Sequence, residues 1–180
     1  GNLSPLSTTL FSFEVVFMRK FERISEEQFR KDFADFDTKY EEIKVPVRKT
    51  MYSAGYDIHI PFDSCINPNE TLIIPTGIKV IMNNDEFFGI YIRSGLGTKY
   101  NLRMCNQVGI IDADYYNNEK NEGHIFIKVQ NEGENKISFK KGDRIAQGIF
   151  QKYYIVDNDE VEETRQGGFG STNKGDEIYE

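Results

Sequence analysis

The 180-residue chain has no tryptophan, two cysteines, two histidines and five prolines. Cys65 and Cys105 have no metal-type spacing, so neither a disulfide scaffold nor a zinc site is expected. They read as free thiols in a reducing compartment. His59 and His124 stand alone, each suited to solvent or to a satisfied core position. No Ser-His-Asp or Cys-His set emerges. No apolar run approaches the length of a membrane span. Residues 1–17 are mildly apolar but carry no basic residue ahead of that run, so no secretory signal is expected. Met18-Arg19-Lys20 reads as a natural start, and residues 1–17 as a non-native or disordered extension. A cytoplasmic location is the expectation. Positive charge is also short, with 22 Lys and Arg against 29 Asp and Glu and a net charge of −7. Such a chain is a poor partner for a nucleic-acid backbone. A free nucleotide still fits, given local positive groups and a divalent metal to offset its phosphates. There is no internal repeat and no βαβ rhythm, which disfavours Rossmann and P-loop folds.

What the chain does have is rings, 14 Phe and 10 Tyr, and these favour strands. Its length suits one domain that buries a core without disulfides. One helix is predicted from a capping box, with Ser25 at the N-cap and Gln28 three residues on. Ile24 and Phe29 are placed as its hydrophobic staple. Phe29, Phe33 and Phe36 form an apolar stripe that carries the helix to about residue 36. From residue 44 short β-branched and aromatic runs alternate with Gly, Asn, Asp and Pro clusters. Strands are expected at 56–60, 71–74, 78–82, 88–93, 102–105, 108–111, 124–130, 137–139 and 145–154. This pattern predicts an all-β protein, a sandwich, jelly roll or barrel. The expected organisation is an extension over 1–17, an N-terminal helical segment over 18–43, a β domain over 44–156 and a mobile arm over 157–180.

Five polar constellations interrupt the strands. Ser53-Ala54-Gly55-Tyr56-Asp57 puts a carboxylate at a strand start, where it could salt-bridge, cap a turn or hold a metal-bound water. Arg93-Ser94-Gly95-Leu96-Gly97 follows a strand and combines a guanidinium, a hydroxyl and free N–H groups, a plausible phosphate grip. Asn106-Gln107 suggests a hairpin tip that exposes backbone amides. Asp112 and Asp114 beyond it are two apart, so in a strand both would point to one face. Paired carboxylates can bind metal or supply a general base. In Gly142-Asp143-Arg144-Ile145-Ala146-Gln147, a polar Gln147 inside an apolar run calls for a specific hydrogen-bond partner. Arg165-Gln166-Gly167-Gly168-Phe169-Gly170-Ser171-Thr172 offers a charged fork, bendable backbone N–H groups and a stacking face.

These five segments, in this order, closely resemble the five motifs of the trimeric dUTP diphosphatase (dUTPase) family, over about residues 44–173. The N-terminal helix resembles an extra found in Firmicute or phage members. The resemblance implies a jelly-roll-like β protomer and a homotrimer with shared active sites. It implies hydrolysis of dUTP to dUMP and diphosphate with Mg²⁺, which limits uracil in DNA and supplies dUMP for dTMP synthesis. It casts Asp112 as the general base for water attack on the α-phosphorus, and Asp57 as a metal neighbour acting through water. Arg93, Ser94, Gly95 and Gln147 are cast as phosphate contacts, joined from the arm by Arg165, Gly170 and Ser171. Asn106 and the backbone around Gly109 and Ile111 would read uracil. Tyr115 would pack under the deoxyribose, and Phe169 would stack on the base. No nucleic acid or membrane partner is implied.

Two departures from the family pattern stand out. The third motif usually continues Tyr-x-Gly-Glu, whereas Tyr115 here leads into a longer loop over 116–123. The fifth is one residue shorter than the common form. A dCTP deaminase relative and a nucleotide-dependent regulatory trimer are the alternatives weighed. The Asp112-Ala113-Asp114-Tyr115 run and the Gly-rich tail favour the diphosphatase.

Overall fold

In the computed structural model, which describes residues 18–163 and residue 165, short strands dominate. In chain order they begin with β1 Lys20–Arg23, α1 Glu26–Asp32, β2 Tyr56–His59, β3 Ser64–Ile66, β4 Thr71–Pro75, β5 Ile78–Ile81 and β6 Glu86–Ile92. Then come α2 Ser94–Tyr100, β7 Leu102–Met104, β8 Gly109–Asp112, β9 Phe126–Asn131, β10 Ile137–Phe139 and β11 Arg144–Lys152. Single 3-10 turns lie at Tyr40–Glu42 and Ala113–Tyr115. A four-stranded sheet has the order β2-β11-β6-β8, and a three-stranded sheet the order β4-β9-β7. The pairs β1-β5 and β3-β10 complete the set, and every pairing is antiparallel. This is an all-β, jelly-roll-like fold. Among the described residues no helix is long and apolar enough to cross a membrane.

The sheets share one core because their inward residues alternate with exposed ones. On β9, Ile127 and Val129 are fully buried while Lys128 between them is exposed. Phe88 and Ile90 from β6, Ile74 from β4 and Ile58 from β2 join the same cluster. Phe88 sits at its centre because Gly148 of β11 lies against it. A Cβ at Gly148 would fall 1.8 Å from the Phe88 ring.

Every strand expected from the sequence is present, within a few residues at its ends. Two others, β1 and β3, carried no pattern that marked them. Ser25 does cap α1, its side chain accepting from the Gln28 N–H at 3.1 Å. The reciprocal half of the capping box is absent. The Ser25 N–H instead donates to Glu122 at 2.9 Å, and the Gln28 amide donates to Asp32 at 2.8 Å. The helix stops at Asp32 rather than near residue 36. Phe33 leaves helical geometry (φ −111°, ψ 13°), and the next bond, Phe36 N–H to Phe33 O, is a tightened turn. Phe36 is thereby brought against Phe62, with ring centroids 4.4 Å apart.

The hairpin expected around Asn106-Gln107 is corrected. β7 pairs with β9 and β8 pairs with β6, so the two arms belong to different sheets. The turn itself is tight. Gln107 has φ +63°, its N–H reaches Met104 O, and the Val108 N–H reaches Asn106 O at 2.7 Å.

Candidate active site

The motif residues gather in two clusters. The first forms where β2, β11 and the end of β6 meet. Asp57 lies opposite Gln147, and Gln147 opposite Tyr91. The Asp57 carboxylate is mostly buried and bridges two arginines, Arg144 at 3.0 Å and Arg93 at 3.6 Å. Arg93 also donates to the Arg144 carbonyl at 3.3 Å. Two guanidiniums on one carboxylate leave net positive charge facing outward. Arg93 is the N-cap of α2, so Ser94 and Gly95 open that helix, both exposed. A Cβ at Gly95 would meet nothing within 4 Å. The Gln147 side chain makes no hydrogen bond among the described residues, so its amide is available to a ligand. Gly55 lies against it, and a Cβ there would overlap the amide oxygen.

The second cluster is at the end of β8. Asp112, about half exposed, accepts from the Arg165 guanidinium at 2.5 Å. Asp114 takes the Arg165 backbone N–H at 3.0 Å and its Nε at 3.2 Å. The same guanidinium lies 5.8 Å from the centre of the Tyr115 ring, within cation–π range. Tyr115 is buried, and its hydroxyl donates to the His124 carbonyl at 2.7 Å and accepts from the Asn121 amide at 2.9 Å. Burial pushes its phenol above the usual tyrosine range, against the Asn121 hydrogen bond and the Arg165 charge. Gly109 and Ile111 lie on β8 opposite Ile90 and Phe88. Asn106 is exposed at the turn before them. Phe169, Gly170 and Ser171 lie outside the described residues.

The two clusters do not meet within one chain. Asp112 pairs with Phe87, four residues along β6 from Tyr91, the partner of Gln147. Three strand spacings across and four residues along place Asp57 and Asp112 roughly 20 Å apart. An open cleft of about 630 Å³, lined in part by Arg23, Lys44, His59 and Lys141, contains none of these residues.

Sequence reasoning gave Arg144 no role, and the structure makes it the main partner of Asp57. The signal was weak, a basic residue at a strand start whose register could not be known in advance. It also left His124 with two bland alternatives. The residue is fully buried, its Nδ1 2.6 Å from Asp32 and its Nε2 accepting from the Gly77 N–H at 2.8 Å.

Comparisons with known proteins bear on this arrangement. A family model described as dUTPase matches residues 41–176. The deoxyuridine 5'-triphosphate nucleotidohydrolase of Lactococcus lactis is 43% identical over 139 residues, covering 75% of this chain and 93% of its own length. The crystal structure of the dUTPase from Streptococcus mutans superposes with a TM-score of 0.63 at 34% identity, covering 76% of this chain and 98% of that one. A variant dUTPase of phage phi11 of S. aureus, whose structure shows the coordination of a structural Mg(II) ion, gives a TM-score of 0.60 at 20% identity. It covers 81% of this chain and 97% of its own, and bears on the fold alone.

Proposed function

The chain belongs to the dUTPase family, and on that footing we propose how its residues carry out the hydrolysis of dUTP to dUMP and diphosphate. The observation that carries the proposal is the separation of two charged half-sites at opposite corners of one sheet. One offers guanidiniums, a hydroxyl and a free amide to phosphates. The other offers a half-exposed carboxylate beside an aromatic ring. A single triphosphate needs both, so a site is completed between protomers of a homotrimer. Exposed apolar side chains near both half-sites, Val47 before β2 and Ile110 on β8, suit burial against a neighbouring subunit.

Asp112 takes a proton from the attacking water. The new bond forms at the α-phosphorus, and the bond to the oxygen bridging to the β-phosphorus breaks, releasing diphosphate. Arg93, Ser94, Gly95 and Gln147 position the phosphate chain, because phosphoryl transfer depends on alignment and charge neutralisation. Arg165 holds Asp112 in this structure. The Arg165 side chain is mostly buried and Asp112 half exposed, and a triphosphate offers the guanidinium more negative charge than the two carboxylates do. A triphosphate can therefore draw Arg165 away and free Asp112 for catalysis. Asn106 and the tight turn after it, with Gly109 and Ile111, read the uracil edge. Tyr115 supports the deoxyribose. Phe169 contacts the base, and Gly170 and Ser171 contact the phosphates.

The donor set also bears on what kind of metal site fits. Among the described residues no three His, Cys, Asp or Glu side chains converge as ligands. Asp57, tied to two arginines, is poorly free to enter an inner coordination sphere. This suits an ion that arrives on the triphosphate and keeps most of its water, as Mg²⁺ prefers. Asp57 would hold that water shell. When bound, the ion supplies charge neutralisation on the phosphate oxygens.

No observation favours a dCTP deaminase or a regulatory trimer. The test is diphosphate release from dUTP, dCTP and dTTP in Mg²⁺. Hydrolysis confined to dUTP is expected. Inactivity on dUTP, or equal rates on dTTP, would overturn the reading.

A further inference from the structure

The family model begins at residue 41, yet residues 18–40 are wired into the candidate site. Three residue pairs join this segment to the stretch that follows Tyr115. Tyr116 donates its hydroxyl to Glu22 at 2.7 Å. Glu122 accepts from the Ser25 N–H at 2.9 Å and from its hydroxyl, so it completes the cap of α1. Asp32, the last residue of α1, receives His124 Nδ1 at 2.6 Å. Lys79 ties the loop to β5 through Glu122 at 3.2 Å and Asn117 at 2.7 Å.

The His124 ring is fixed from every side. Its Nε2 accepts from the Gly77 N–H, so the ring proton is on Nδ1 and is donated to Asp32. The ring stacks on Phe33 at 5.9 Å and lies 4.3 Å from Phe126. The ring contacts anchor His124, and the backbone carbonyl of the same residue accepts the Tyr115 hydroxyl. Within the loop Asn118 donates to the Tyr115 carbonyl at 2.8 Å, and Asn121 donates to the Tyr115 hydroxyl. Gly123 lets the chain pass this close. Its φ is +83°, and a Cβ there would meet the Tyr115 carbonyl oxygen at 2.7 Å. The loop over 116–123 is thus a closed cradle around one aromatic residue.

We propose that Asp32, acting through His124, is a positioning residue for Tyr115, so that the N-terminal strand and helix set how tightly the site grips the deoxyribose. The proposal rests on the reading of Tyr115 as the sugar platform. Asp32 touches no substrate. It orients the His124 ring, which orients the backbone oxygen that holds the Tyr115 hydroxyl. A small displacement of a group that packs against substrate weakens binding and discrimination before it disturbs chemistry at a distant phosphorus.

The test is steady-state kinetics on dUTP and UTP for the wild type, Asp32→Ala, Asp32→Asn, Tyr115→Phe and the Asp32→Ala/Tyr115→Phe double variant. Asp32→Ala is expected to raise KM for dUTP about tenfold, to narrow the preference for dUTP over UTP by a similar factor, and to change kcat less than about threefold. Asp32→Asn keeps an oxygen acceptor for His124 and should restore both values. In the Tyr115→Phe background, where the hydroxyl is gone, Asp32→Ala should have little further effect. A purely structural role would lower the melting temperature of Asp32→Ala and leave KM and the sugar preference at wild-type values; that result overturns the proposal. Equal effects of Asp32→Ala with and without the Tyr115 hydroxyl overturn it too. If Asp32→Ala does not fold, Asp32→Ser, whose shorter side chain cannot reach the His124 ring, takes its place, and an unchanged KM and sugar preference there overturn the proposal. Failure of the wild type to hydrolyse dUTP would instead refute the reaction assignment, and is distinguishable because no variant need be made to see it.

Discussion

On the proposed homotrimer, two inactive variants should restore each other when they assemble together. Arg93→Ala removes a guanidinium from the first cluster, and Asp112→Asn removes the carboxylate from the second. Within one chain these clusters are about 20 Å apart, by strand spacing and register. If each site takes one cluster from one subunit and the other from its neighbour, a mixed trimer contains sites with neither lesion. Such a site needs its phosphate cluster from an Asp112→Asn chain and its carboxylate cluster from an Arg93→Ala chain. With equal expression and random assembly, about a quarter of all sites are intact. Neither substitution should prevent folding. Arg93 and Asp112 are both partly exposed, and Asp57 keeps Arg144 when Arg93 is lost. The assay is diphosphate release from dUTP by co-expressed, co-purified chains against each variant alone. Each alone is expected below about 1% of wild type, since on the proposed mechanism each removes a group that acts in the transition state. The mixture should reach about a quarter of wild type per subunit. A mixture no more active than its components would mean that both clusters serve one site in one chain, and the placement argued from register would be wrong.

Other perturbations have equally direct readouts. Asp112→Asn alone should lower turnover by about a thousandfold or more while changing affinity for a non-hydrolysable dUTP analogue only severalfold, measured by calorimetry; turnover near wild type would remove Asp112 as the base. Gly148→Ala drives a methyl into the Phe88 ring and should cost about 1–3 kcal/mol, seen as a lower denaturation midpoint; an unchanged midpoint would show that this part of the core is slack. Acid should destabilise the fold through three carboxyls held below their ordinary range. Burial pushes Asp32 up, but hydrogen bonds from His124 and Gln28 outweigh it. Burial likewise pushes Glu122 up, and bonds from Ser25 and Lys79 outweigh it. The Arg19 hydrogen bond lowers Glu86 against the effect of burial. Depressed carboxyls stabilise the fold fully above their unfolded pKa near 4, and lose that stabilisation as pH falls through their lower folded values. Melting temperature should therefore drop steeply below about pH 4, and more gently for Glu122→Gln; parallel pH profiles would contradict this.

Much of the fold was legible because burial imposes a period on the sequence. Phe126 through Asn131 alternates, and so does Ile137-Ser138-Phe139, as a half-buried strand requires. The strand Lys20–Arg23 escaped notice because three of its four residues are charged and it runs only four residues beside β5. Ser64–Ile66 is three residues long and offers no period to detect. The cap at Ser25 was readable from local spacing. Its second partner, Glu122, lies 97 residues away and was not. The hairpin at Asn106-Gln107 was misjudged because turn chemistry shows that a chain reverses, and not which sheet each arm then joins.

Residue types and short spacings were enough to set out the chemical inventory of this chain: five motif segments, the Asp112 carboxylate, the Arg93 and Arg165 guanidiniums, and strands to carry them. Those are local properties, set by residue type and short spacing. Which of these groups are neighbours follows from long-range packing. Strand register placed Arg144 on Asp57 and put the two clusters at opposite corners of one sheet. Packing of α1 against the 116–123 loop buried His124 between Asp32 and Gly77, and through it anchored Tyr115. These pairings depend on long-range contacts between buried faces, for which no short stretch of sequence carries a signal.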